Sequence, residues 1–120
     1  MNSTVWDAKT RRLFLLFAQL PNAAEWEPLL ADAKRQVMQS LRPGADASDE
    51  RLCYYAAALA NLSYRRILAA ECEKSPTYAG AVPSGRSESA VCASAVRLEA
   101  AYRAHAADLL RDDSALLLGI

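Results

Sequence analysis

His105 is the only histidine in the chain, so any histidine-based nucleophilic or general-base chemistry has to be centred there. It falls on the same helical stripe as Tyr102 and Leu109, which marks it as a packed side chain, partly buried and satisfied. The three cysteines, Cys53, Cys72 and Cys92, are far apart in sequence, and their odd number leaves at least one unpaired. They read as reduced thiols inside helices. Structural zinc needs closely spaced cysteine and histidine ligands, and no such spacing occurs. Glu71 and Glu73 flank Cys72 but diverge on a helix. No Glu-x-x-His step of the kind used by di-iron bundles follows Glu71. Asp112 and Asp113 read as a solvated helix end. The segment from Gly80 to Ser87 offers two glycines and Arg86 before a helix start, but lacks the lysine of a nucleotide-binding loop. These patterns imply no catalytic residue, no metal site and no cofactor.

The elements that would position such residues are helices rich in alanine. Thr4 and Asp7 suit a capping box for a first helix over about 4–19, with Leu13, Phe14, Phe17 and Leu20 on its buried face. A second helix spans about 24–41. It starts either from an Asn22/Glu25 capping box or with Pro28 in its first turn. Trp26, Leu29, Leu30, Ala33, Val37 and Leu41 form its stripe, and Arg42-Pro43-Gly44 ends it. Asp46, Ser48 and Asp49 are alternative caps for a third helix over about 49–72. Its row comprises Leu52, Tyr55, Ala56, Leu59, Leu62, Arg66 and Ala69, and it is apolar on more than one face, so it is the central helix or one covered by another subunit. A Gly/Pro/Ser-rich loop at 74–87 precedes a last helix over about 87–110, capped by Ser87 and packed through Val91, Ala95, Leu98, Tyr102, His105 and Leu109. The apolar tail 114–120, with Leu116, Leu117 and Leu118, closes the bundle or reaches a neighbour. The expected fold is all-α, a compact bundle of about four helices in a single domain.

Fourteen basic and fourteen acidic residues leave no net charge, which disfavours direct nucleic-acid binding. No apolar run is long enough to span a membrane, and no secretory leader is evident. A core built largely from alanine buries little area per helix, so self-association is expected to add burial. Trp26, Tyr55, Tyr64, Arg65, Arg66 and Tyr78 are of the types that dominate protein contacts. For each the alternative is packing: Trp26 as a core anchor, the tyrosines at the core rim, Tyr78 within its own loop.

Over about residues 20–70 the chain resembles the head–tail connector (neck adaptor) proteins of tailed bacteriophages and prophages. The likeness lies in Trp26-Glu27-Pro28-Leu29-Leu30 with Ala33, Val37 and Leu41, followed by Asp49-Glu50-Arg51-Leu52, Ala56-Ala57-Ala58-Leu59-Ala60 and Tyr64. The resemblance implies a non-catalytic ring component bridging portal and tail, made in the bacterial cytoplasm and carried in the virion. The residues alone leave open a small cellular adaptor or regulatory protein, with a nucleic-acid-binding module behind it.

Overall fold

The computed structural model describes the backbone of residues 3–73 and 82–111. It contains four α-helices, α1 (Ser3–Ala18), α2 (Glu27–Ser40), α3 (Glu50–Glu73) and α4 (Val82–His105), followed by a short 3₁₀ turn at Ala107–Leu109. The fold is all-α, as expected. Among the described residues the only β pairing is one isolated antiparallel bridge, between Leu41 and Leu110.

The helix ends differ instructively from the expected ones. α1 begins at Ser3, so Thr4 lies within the helix rather than at its cap, and Asp7 accepts a bond from Lys34 of α2 instead. Its other end turns through Gln19 in the left-handed region (φ 59°). There Leu20 N–H reaches back to Leu15 O at 3.0 Å, the closing bond of a Schellman motif. Of the two starts considered for α2, the proline start holds: Pro28 stands in the first turn, where its missing N–H leaves no bond unmade. Asn22 instead accepts from Ala24 N–H in a local turn. Asp49 caps α3, its Oδ1 accepting the Arg51 N–H at 2.9 Å. α4 starts at Val82, inside the segment read from sequence as loop, so Ser87 lies within the helix. Residues 74–81 lie outside the described residues.

α3 packs against α1, α2 and α4 and is surrounded over most of its length. Leu52, Ala56, Ala57, Ala58 and Ala60 have no exposed surface. Its reading as the central helix is thereby met within one chain. Small side chains let three helices approach one axis, and Phe14, Val37 and Leu52 fill the space between them. Direction follows from paired residues. Trp6 lies by Cys53 and Phe14 by Tyr64, so α1 runs parallel to α3. Trp26 meets Tyr64 and Tyr54 meets Tyr102, so α2 and α4 run antiparallel to it.

Three backbone and side-chain ties close the lower end. Arg42 N–H donates to Leu109 O at 2.9 Å and Arg111 N–H to Ser40 O at 2.8 Å. Arg51 donates to the His105 carbonyl at 3.0 Å, satisfying an acceptor at the end of α4.

Candidate functional site

The contact residues expected from sequence fall into three groups. Tyr55 and Tyr64 are buried, and Trp26 is half-buried. Trp26 packs edge-on to Tyr64 at 4.8 Å, and Phe14 meets the same tyrosine at 6.1 Å, so the packing alternative describes these rings. Arg65 donates to the Ala18 carbonyl at 3.0 Å and lies over the Tyr64 ring, capping the end of α1. Arg66 is exposed, not on the buried row of α3 where its spacing placed it. Tyr78, Leu116, Leu117 and Leu118 lie outside the described residues.

His105 is a further correction. It sits exposed in the last turn of α4 with its ring edge-on to Tyr102 at 5.8 Å. At the helix end its backbone carbonyl faces Arg51 while its side chain extends outward, which the apolar stripe alone does not reveal. Tyr102 also stacks on Phe17 at 5.7 Å and lies 5.4 Å from Tyr54, joining α1, α3 and α4 through rings. Cys53 is a free, buried thiol and Cys92 a free, half-buried one. Burial pushes the Cys53 thiol above its ordinary pKa, with the Thr10 hydroxyl and Lys9 partly offsetting this. Among the described residues no group of three or more histidine, cysteine or carboxylate side chains is placed to hold a metal ion.

Two features were not singled out by the sequence patterns. The first is the outer face of α1, where Val5, Ala8, Arg12 and Leu16 follow one another at helical spacing and are all exposed. Val5 is 62% and Leu16 67% exposed. Lys9, Arg11, Lys34 and Arg51 each pair with a carboxylate. Arg12, between the two apolar residues, makes no ion pair with any described residue.

The second is a cleft of about 300 Å³ between α1 and α2, lined by Trp6, Asp7, Thr10, Arg11, Glu27, Leu30, Ala31 and Lys34. At one end Arg11 holds Glu27 through two bonds of 2.8 and 3.0 Å, and this pairing keeps the Glu27 carboxyl below its ordinary pKa. At the other end Lys34 binds Asp7 at 2.8 Å, with its ammonium 5.5 Å from the centre of the Trp6 ring. Trp6 Nε1 is buried and has no hydrogen-bond partner, whereas the buried Thr10 hydroxyl lies against the Cys53 thiol. A buried polar atom left unpaired costs about 1–3 kcal/mol. The signal for this cleft was present as the charges at 7, 11, 27 and 34, but only helix pairing brings them together.

No protein-family model, no curated protein and no solved structure matches the chain. The connector resemblance over residues 20–70 is therefore neither supported nor refuted by a relative. The helical bundle stands, whereas the bacteriophage, prophage, head–tail connector and virion-assembly terms have no match to rest on. Among the described residues no helix is long and apolar enough to cross a membrane.

Proposed function

We propose that the chain is a non-catalytic assembly protein, a small helical adaptor that acts through protein–protein contacts, with further copies of itself among its partners. The outer face of α1 carries this reading. Apolar Val5, Ala8 and Leu16 in one exposed row form the kind of stripe a packed helix buries. Scattered apolar residues are ordinary on a protein surface, but alignment on one helix face is not scatter. Arg12 at the middle of the row asks for an acidic partner. A two-fold pairing of identical α1 faces would set Arg12 against Arg12, so the contact is heterologous, α1 of one copy meeting a different face of the next.

Absolute mass in solution, measured by light scattering coupled to size exclusion over a range of concentrations, tests this. The expected result is a discrete oligomer that Leu16→Asp dissociates without loss of helicity. A monomer at every concentration would overturn self-assembly and assign the stripe to a different protein. An oligomer indifferent to both Leu16→Asp and Arg12→Glu would remove α1 from the contact.

A further inference from the structure

The ion pairs of the α1–α2 cleft form a checkerboard. On α1, Asp7 and Arg11 stand one turn apart; on α2, Glu27 and Lys34 stand two turns apart. Because Arg11 meets Glu27 and Lys34 meets Asp7, each end of the cleft and each wall carries one cation and one anion. The ring has no net charge. Between the two ends lie Trp6, Thr10, Leu30 and Ala31, a largely apolar bed. Room, alternating charge and an apolar bed therefore coincide in one place.

We propose that this cleft binds a small zwitterion with one carboxylate, one ammonium and a short apolar side chain, the chemistry of a free α-amino acid. A ligand of net negative charge would meet Asp7 and Glu27, and one of net positive charge would meet Arg11 and Lys34. A zwitterion satisfies both signs at once, its carboxylate taken by Lys34 and its ammonium by Asp7 at one end of the cleft. Access to these groups is inexpensive. All four are about a third to a half exposed, and ion pairs so wetted hold each other weakly, so exchanging an internal partner for a ligand group loses little. The apolar side chain rests on Trp6, Leu30 and Ala31. This site is separate from the α1 outer face and does not depend on the assembly reading.

The chain has two tryptophans, Trp6 and Trp26, so Trp26→Phe leaves Trp6 as the sole fluorescent reporter. Its emission senses the Lys34 ammonium above it. L-leucine is the probe, titrated to about 20 mM, well into the range of weak specific binding. Its one-charge analogues isoamylamine and 4-methylpentanoate are titrated alongside. Calorimetry on the unaltered chain repeats the series, so the test stands even if Trp26→Phe fails to fold. The expected result is saturable binding of L-leucine, at least about 10-fold weaker for each analogue, with a loss of similar size in a Lys34→Met variant of unchanged circular dichroism. The proposal is overturned by no saturable response to L-leucine in calorimetry. Equal affinity for all three compounds, or indifference to Lys34→Met, overturns it equally.

Discussion

Leu110 pairs antiparallel with Leu41, joining the turn after the last helix to the end of the second. Both Leu109 and Leu110 are buried in the core cluster, so this closure combines backbone bonds with apolar burial. Leu110→Ala should therefore lower unfolding stability by about 2–3 kcal/mol, the lower part of the usual range for truncating a buried leucine. The measurement is a urea titration, with a lower midpoint at unchanged slope. Arg111→Ala, which removes only an exposed bond to the Gln39 carbonyl, should shift the same midpoint by much less. Equal small effects would mean that residues 106–111 are appended to the bundle rather than part of its core.

Gln19 occupies a left-handed conformation at the end of α1, where a Cβ atom is unfavourable and glycine is not. Gln19→Gly should raise stability by about 0.5 kcal/mol, the relief of strain exceeding the added freedom of the unfolded chain. Gln19→Val should lower it by more than that, because a β-branched side chain fits this region worst. A thermal melt of both variants gives the two signs directly. A fall in melting temperature for Gln19→Gly would contradict the Schellman geometry.

Leu52 has no exposed surface, whereas Leu59, on the same helix and in the same apolar row, is only half-buried. Leu52→Ala should cost about 3 kcal/mol and Leu59→Ala about half of that. Leu52→Asp should unfold the chain, since it places an unpaired charge in the core. Comparable losses at the two positions would mean that Leu59 is covered by something beyond the single chain, and would bear on the assembly reading.

Periodicity revealed the four helices and the central place of α3 because a helix apolar on several faces must be surrounded. It could not distinguish Leu52 from Leu59, since both satisfy the same spacing and only the approach of the surrounding helices decides which is enclosed. Caps were legible in type but not in position: Asp49 was one of three equivalent choices, and the backbone turn selected it. The start of α4 was missed because Pro83 and Gly85 signal a loop. A proline in the first turn of a helix costs nothing, and a single glycine costs only about 1 kcal/mol. The cleft was illegible because Asp7 and Lys34 are 27 residues apart, and no local pattern links them. Exposure of Val5 and Leu16 was hidden for a similar reason, as their apolar character alone suggests burial.

Cys53 and Cys92 should differ sharply in reactivity. Cys53 is buried, with its thiol donating weakly to the Trp6 carbonyl, and burial holds it in the neutral form. Peptide-resolved mass spectrometry after brief alkylation at neutral pH should find Cys92 labelled before Cys53. Cys53 should be labelled only at the rate at which the native bundle opens. Rapid labelling of Cys53 would show that α1 leaves α3 readily.

The Arg11–Glu27 pair predicts a small acid-sensitive contribution to stability. The hydrogen bonds from Arg11 are the main cause of the lowered Glu27 pKa, outweighing the opposing effect of burial. A carboxyl whose native pKa lies below its unfolded value binds protons more weakly when folded. Its contribution is therefore complete above the ordinary glutamate value of 4.5, and it disappears as the pH falls through the lowered native pKa. Both side chains are more than 40% exposed, so solvent screening limits the contribution to about 0.5 kcal/mol. Glu27→Gln should thus lower the urea midpoint slightly at pH 7. The gap to the unaltered chain should narrow steadily below the ordinary glutamate value, and about 0.5 M salt should narrow it at neutral pH as well. A gap that widened on acidification would reverse the sign and exclude Arg11 as the group that holds Glu27 ionised.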